Sequence, residues 1–503
     1  MNHSLFAALC AGKDLDEPAI LCGWDRMISY GALFEASGRL AHRLIALGVG
    51  PGDRIAVQVG KSAEALILYL ASLRVGAVYL PLNTDYTPAE IGYFLTDAEP
   101  GLFIVDPADA DAAAPLAAGI SARLATLGTD GESGSLLEHI DTLPASFTDM
   151  HRAADDLAAI LYTSGTTGRS KGAMLTHGNL TSNAATLVDA WRFTADDELL
   201  HALPVYHIHG LFVATNVPLL AGARIRLLPK FEPGAVLRGL ETATVMMGVP
   251  TFYTRLLADP RLDRNATKGM RLFVSGSAPL LAETHRAWEE RTGHRILERY
   301  GMSETGMNTS NPYEGERRPG TVGPALPGVS IRIVDEQTRT MLPAGEIGMI
   351  EVKGPNVFKG YWRMPEKTAT ELKEDGYFIT GDLGRLSLDG YLEIVGRDKD
   401  LVITGGLNVY PKEVETEIDT LDGVEETAVI GLPHPDFGEA VTAIVVRSSG
   451  SKIGSADILE AISARLARFK LPKTVFFVDA LPRNAMGKVQ KNILREELLD
   501  IVY

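Results

Sequence analysis

Residues 162–172 read YTSGTTGRSKG, and eight of these eleven are Gly, Ser or Thr. Glycines let a backbone turn its N–H groups inward, hydroxyls add donors and Lys171 adds charge, so the stretch suits a phosphate. It is not a Walker A loop, which needs GxxxxGK followed by Ser or Thr. Gly165 is followed five positions later by Ser170, and Lys171 is followed by Gly172. That spacing speaks against a Ras-like or kinase-like nucleotide enzyme. Further charge gathers near the end of the chain. Residues 461–495 hold eight basic side chains (Arg465, Arg468, Lys470, Lys473, Arg483, Lys488, Lys491 and Arg495) against one acid, Asp479. A polyphosphate ligand accounts for that excess better than a solvated helix face.

The elements that must position these residues are legible in the hydrophobic pattern. Residues 29–83 alternate helix and strand: SYGALFEASGRLAHRLIALG, DRIAVQV, SAEALILYLASLRVG and AVYLPLN. This is βαβ grammar, which implies parallel sheet covered by helices. LAAILYT (157–163) is a strand entering the glycine-rich loop, and ETATVMMGVP and MRLFVSGSAP are strands that feed helices. From about residue 321 the texture changes to short strands between turns, IRIVD, GMIEVKG, GYFITGD and GYLEIVG, as in an antiparallel subdomain. After GRDKDLVITGG the pattern is a compact α+β segment.

Composition narrows the function. The chain has 503 residues, too many for one core, with 46% apolar and 22% charged residues, the makeup of a globular protein. A formal charge of −16 argues against general nucleic-acid binding. Cys10 and Cys22 form no CxxC pair, which fits a reduced, cytoplasmic setting. The apolar run Leu5 to Ala11 lacks a basic leader and reads as an opening helix. Residues 63–82 are interrupted by Glu64, Ser72 and Arg74, so they read as core and not as a membrane span.

The motifs together resemble the adenylate-forming enzymes: acyl-CoA synthetases, peptide-synthetase adenylation domains and firefly luciferase. YTSGTTGRSKG resembles their phosphate-binding signature. YGMSET (300–305), GYFITGD (376–382), GRDKD (396–400) and PRNAMGK (482–488) follow in the family's order. The resemblance covers essentially the whole chain. It implies an α/β protein with a large N-terminal domain, residues 1–398, built of parallel-sheet αβ subdomains plus an antiparallel β subdomain from about 321 to 398. A small mobile α+β domain, residues 399–503, would hinge at Lys399, where many relatives carry Asp.

The resemblance also implies a reaction: a carboxylate attacks the α-phosphate of ATP, pyrophosphate leaves, and the acyl-adenylate passes to coenzyme A. Such a catalyst must aim positive charge at the transferring group and align two anions that repel each other. By resemblance Thr163, Ser164, Gly165, Thr166 and Thr167 hold the ATP phosphates with Lys171 nearby, and Glu304 is the Mg²⁺ carboxylate. Tyr300 and the backbone of Glu298, Arg299, Gly301 and Met302, with Ser303 alongside, would flank the adenine. Asp382 would accept from both ribose hydroxyls, as an acceptor-only carboxylate can, assisted by Arg397. Lys488 would bridge the substrate carboxylate and the α-phosphate, a task for a flexible point charge. Acetylation there would remove that charge, so a lysine acetyltransferase and deacetylase are implied partners. After rotation, TGGLNVYP (404–411) would guide the pantetheine arm past Gly405 and Gly406. Phe469 would stack on the CoA adenine or belong to the core.

The acid is read from PVYHIHGLF, SGSAPLLAETHR and GMSETGMN, which carry His207, His209, Ser277, His285 and Arg286. A basic group in an acyl pocket implies a second anionic end on the substrate, because a desolvated carboxylate is costly unless paired. These segments resemble the malonyl-CoA synthetase branch of the family. That branch implies Arg286 as clamp on the distal carboxylate, helped by His207 and Ser277, with Met302 closing a short pocket. His207 joins Lys488, Glu304 and Thr163 in the expected catalytic set, while His209 and His285 read as structural. The expected reaction is malonate + ATP + CoA to malonyl-CoA + AMP + diphosphate through malonyl-adenylate, with methylmalonate as a further substrate. The alternatives are a short- or medium-chain monocarboxylate synthetase with Arg286 facing solvent, and an adenylation enzyme that loads a carrier protein.

Overall fold

The computed structural model describes residues 3–163, 170–404, 407–434, 438–463, 465–466, 468–484 and 487–499. It divides into two compact units, Met1–Ser330 with Val352–Phe378, and Ile331–Glu351 with Ile379–Tyr503. The boundary expected at Lys399 falls inside the second unit.

In the first unit, the expected βαβ run is present. Tyr30–Ala46 is a helix capped by Ser29, Arg54–Gln58 a strand, Ala63–Arg74 a helix capped by Ser62, and Val78–Pro81 a strand. Every residue of the helix Ala63–Arg74 is buried, which explains why its sequence lacks a polar face. Its two charges are matched inside the fold: Arg26 reaches Glu64 at 2.7 Å, and Arg74 reaches Asp149 at 2.6 Å. Among the described residues, no helix is long and apolar enough to cross a membrane.

Two sheets organise this unit. One has seven strands, parallel through Arg123–Thr126, Leu102–Val105, Arg54–Gln58, Val78–Pro81 and Leu157–Thr163. Two antiparallel strands close its other edge, Lys171–Thr176 and then Gly360–Tyr361. Thr163 pairs with Lys171, so the glycine-rich segment joins two antiparallel strands. A Walker loop instead runs from strand to helix. The other sheet has eight strands, and its centre includes Glu198–His201, Val245–Gly248, Leu272–Ser275 and Leu297–Met302 in parallel.

The second unit holds the antiparallel sheet expected after residue 321. Its strands are Ser330–Val334, Gly348–Lys353, Phe378–Leu386 and Leu392–Arg397. Val334, Met349, Leu383 and Val395 form its core, with Leu401 and Tyr410 packed against them. A second sheet is built on the long hairpin Val424–His434 and Gly438–Arg447, with Thr474–Val478 added in parallel.

This unit corrects the reading of the basic segment near the chain end. Arg465 pairs with Glu417, Lys470 with Glu413, Arg483 with Glu426, Lys491 with Glu415 and Arg495 with Asp400. The acids come from residues 400–426, far away in sequence and adjacent in the fold. Five of the eight cations are therefore counter-ions for the protein itself and do not form a patch for polyphosphate.

Candidate active site

Glu304 sits in a tight hairpin. The strand Leu297–Met302 turns back into Gly306–Ser310, with Met302 opposite Gly306 and a bulge at Tyr300/Gly301. Gly301 is required there, because a Cβ would lie 2.2 Å from the Gly306 carbonyl oxygen. The turn is braced by a neighbouring segment: Phe358 N donates to Glu304 O at 2.8 Å, and Asn356 Nδ2 to Thr305 O at 2.6 Å. The Glu304 carboxylate is buried; its Oε1 accepts from Thr163 Oγ1 at 3.5 Å and lies 3.1 Å from Tyr361 Oη. One carboxylate beside one hydroxyl is a sparse donor set. It fits Mg²⁺, which takes most of its ligands from water and phosphate oxygens. Among the described residues, no three His, Cys, Asp or Glu gather to cage a metal.

The remaining residues of YGMSET and its approach lie close by in the chain. Tyr300 is buried with its hydroxyl 4.0 Å from Met302 Sδ, while Met302 and Ser303 are half-buried. Glu298 turns its side chain into the core, where Oε1 lies 3.2 Å from His285 Nδ1. Burial pushes the Glu298 carboxyl up, and His285 opposes that shift. His285 is buried against Glu298 on the inner face of its helix.

A polar cluster forms around the loop after the strand Leu272–Ser275. Ser277 has φ +73°, unusual for a residue with a side chain, and its Oγ is 3.2 Å from His209 Nδ1. His209 N in turn donates to His207 Nδ1 at 3.3 Å. His209 opens a π-turn, His209–Val213, and is fully buried with Nε2 unpartnered. Arg299 lies against this loop. A Cβ on Gly276 would come within 2.4 Å of the Arg299 guanidinium carbon, so a side chain there would displace the guanidinium. Arg299 is 3% exposed, and its Nε and Nη2 have no hydrogen-bond partner among the described residues. Burial pulls its pKa down to about 9, and the nearby Tyr253 phenol works in the other direction. His207 and Ser277, expected together, are thus brought together through His209.

Arg286 is not part of this cluster. The helix Ala282–Thr292 buries Thr284, His285 and Trp288, a register that leaves Arg286 exposed. Arg299 is a second cation at this loop, buried where Arg286 is exposed.

In the second unit, Asp382 and Arg397 are register partners on adjacent strands, and Arg397 Nε donates to Asp382 Oδ1 at 2.9 Å. Lys399 lies in the following 3-10 turn, Asp398–Asp400. Lys488 follows a turn in which its N–H donates to Asn484 Oδ1 at 3.0 Å. Its side chain keeps exposed area, yet surrounding protein strips hydration from the ammonium. That desolvation, with Arg397 and Lys399, pulls its pKa down to about 8 against the pull of Asp382 and Asp400. Phe469 is half-buried against the core that includes Val402, Val414 and Ile458. Ser164, Gly165, Thr166, Thr167, Gly405 and Gly406 lie outside the described residues.

Two residues around Glu304 were not singled out from sequence: Tyr361 and Glu371. Tyr361 Oη donates to Glu371 Oε2 at 2.7 Å, and Lys171 Nζ lies 3.2 Å from Tyr361 Oη and 3.5 Å from Glu371 Oε1. Lys171 is buried among them. The signal available in sequence was GYWRMPEKTATE, a capless Pro-started helix after a two-residue strand, which carries no periodicity of its own.

The family model for the AMP-binding enzyme matches residues 7–362, and that for the AMP-binding enzyme C-terminal domain matches residues 413–488. The crystal structure of ATP-bound MatB from Rhodopseudomonas palustris matches with TM-score 0.98 at 60% identity, covering 100% of both chains. A malonate–CoA ligase of Arabidopsis thaliana is 37% identical over 482 residues, 89% of this chain and 78% of the relative. A feruloyl-CoA synthase of an Amycolatopsis species is 37% identical over 472 residues, 93% of each chain. With the phosphate loop, the Glu304 hairpin and the Asp382–Arg397 pair falling within or between the two matched segments, the chain belongs to the AMP-binding enzyme family.

Proposed function

We propose that the protein is an ATP-dependent malonate–CoA ligase that forms malonyl-CoA, AMP and diphosphate through a malonyl-adenylate. The observation that carries the choice of acid is the buried Arg299 guanidinium. Buried charges are ordinarily paired, and a guanidinium whose Nε and Nη2 find no partner among the described residues, near a His209 Nε2 in the same condition, is short of an anion. The distal carboxylate of a small dicarboxylate supplies that anion, whereas the alkyl end of a monocarboxylate leaves it bare. The 37% identity to the Arabidopsis malonate–CoA ligase supports the same acid.

In this reading Thr163 and the following loop bind the ATP phosphates, and Asp382 with Arg397 holds the ribose. Lys488 places its ammonium on the carboxylate and α-phosphate during adenylation, and the segment from Lys399 onward moves to admit CoA. Glu304 would hold Mg²⁺, whose chemistry is to neutralise phosphate charge. Acetylation of Lys488 would stop adenylation by removing its charge. The free thiols of Cys10 and Cys22 suit a reducing, cytoplasmic setting.

The test is acid-dependent ATP–pyrophosphate exchange across acetate, octanoate, malonate, methylmalonate and succinate, followed by thioester formation with free CoA. Exchange with malonate, and a CoA thioester as product, is expected. Exchange with acetate or octanoate but not malonate would sink the assignment.

A further inference from the structure

We propose that Glu371 is a positioning residue for the metal-binding carboxylate Glu304, acting by holding Lys171 and Tyr361 away from it. This rests on the reading of Glu304 as the Mg²⁺ carboxylate.

Four side chains meet here from separate elements. Lys171 begins the strand Lys171–Thr176, and Tyr361 ends the adjacent antiparallel strand Gly360–Tyr361. Glu371 ends the helix Pro365–Glu371, which is tied to Tyr361 because Tyr361 N donates to Thr368 Oγ1 at 2.9 Å. Glu304 lies in its own hairpin.

The Tyr361 phenol has one proton and two carboxylate neighbours. Glu371 Oε2 is the nearer at 2.7 Å, against 3.1 Å for Glu304 Oε1, so Glu371 holds the proton. Lys171 is 7% exposed. Its ammonium lies 3.5 Å from Glu371 Oε1, 3.2 Å from the phenol oxygen and 4.3 Å from the centre of the Tyr361 ring. Glu371 also takes Lys367 at 2.6 Å from the preceding turn of its helix.

The Tyr361 phenol oxygen touches both groups, 3.2 Å from the Lys171 ammonium and 3.1 Å from Glu304 Oε1. A lysine is a point charge on a flexible stem, and a buried one seeks a carboxylate. With Glu371 in place, that carboxylate is Glu371. Without it, the ammonium turns to Glu304 and competes with a divalent cation for the same oxygens. The Lys171 ammonium is thereby paired with Glu371, and that pairing keeps it off Glu304.

The experiment measures binding and not turnover. ATP binding to the full-length enzyme, without malonate or CoA, is titrated calorimetrically against free Mg²⁺. The magnesium concentration giving half-maximal ATP affinity is compared for wild type, Glu371→Gln, Lys171→Met and the double variant, each checked for an unchanged circular dichroism spectrum. Glu371→Gln is expected to raise that concentration at least fivefold. In the Lys171→Met background the same substitution is expected to change it less than twofold, because the competing ammonium is gone. An unchanged magnesium requirement in Glu371→Gln, or an equal rise in both backgrounds, overturns the inference. Should Glu371→Gln not fold, Tyr361→Phe serves: loss of the spacer hydroxyl is expected to raise the requirement, and no change overturns the inference. Wild-type ATP binding that ignores magnesium overturns both this inference and the metal role of Glu304. A magnesium-dependent wild type with unaffected variants overturns the inference alone.

Discussion

Arg397 donates from Nε to Asp382 Oδ1 at 2.9 Å, and the two are register partners on neighbouring antiparallel strands. In the proposed function Asp382 accepts two ribose hydroxyls, which needs one fixed orientation, and the guanidinium holds the carboxylate from the next strand. Arg397→Ala is expected to raise the ATP dissociation constant about 10- to 100-fold. That range corresponds to the ~1.5–3 kcal/mol of a charge-assisted hydrogen bond. Calorimetric titration with ATP checks it, and an unchanged constant would remove Arg397 from the nucleotide site.

Lys488 must be protonated to serve adenylation, and its pKa is pulled down to about 8. Malonate-dependent pyrophosphate exchange should therefore fall by a one-proton step as pH rises through about 8. Arg397, Lys399, Asp382 and Asp400 surround the ammonium, so Lys399→Met should move the step upward. Lys488→Ala should abolish exchange while sparing thioester formation from supplied malonyl-adenylate. Equal loss in both half-reactions would contradict a role confined to adenylation.

Arg299 and Arg286 make opposite predictions. Arg299→Met should lower malonate-dependent exchange at least about 30-fold, the ~2 kcal/mol lower bound for removing one partner of a buried charge pair. It should also raise the melting temperature of the ligand-free enzyme, because an unpaired buried charge is lost. Arg286→Ala, on the exposed helix face, should change malonate exchange less than threefold. A large loss at Arg286 with none at Arg299 would restore the clamp to Arg286.

Lys491 is the counter-ion of Glu415, which is buried, at 2.5 Å. The Glu415 carboxyl stays below its usual range: burial raises it, but Lys491, Lys412 and the Val429 N–H outweigh that. Its folded pKa is thus depressed, so it stabilises the fold above the unfolded carboxyl pKa and the effect is lost as pH falls. Lys491→Ala should destabilise the protein by roughly 3 kcal/mol at pH 7, measured by urea unfolding with unchanged slope. The deficit should shrink toward pH 4, and a deficit that does not shrink would deny the pairing.

Much of the fold was legible because its cause is local. The alternation at 29–83 dictates buried strands and covering helices, and those elements stand where the pattern put them. The strand Leu157–Thr163 and the short strands after residue 321 carried the same kind of signal. The strand Lys171–Thr176 did not, since six residues after a glycine-rich turn show no period of their own. Its identity comes from pairing with Leu157–Thr163.

By itself the sequence determined the order of five motifs, and with it the AMP-binding enzyme family. A motif is a local arrangement of residue types, so reading it requires no knowledge of neighbours. Only the tertiary structure decided which charges meet. It turned Arg286 outward through the register of one helix and Arg299 inward beside Gly276. It gave the basic segment near the chain end its counter-ions from residues 400–426. It also committed Lys171, the charge on the phosphate loop, to Glu371, 200 residues along the chain. Electrostatic partnership depends on distance in space and on desolvation, and neither can be read from position in sequence.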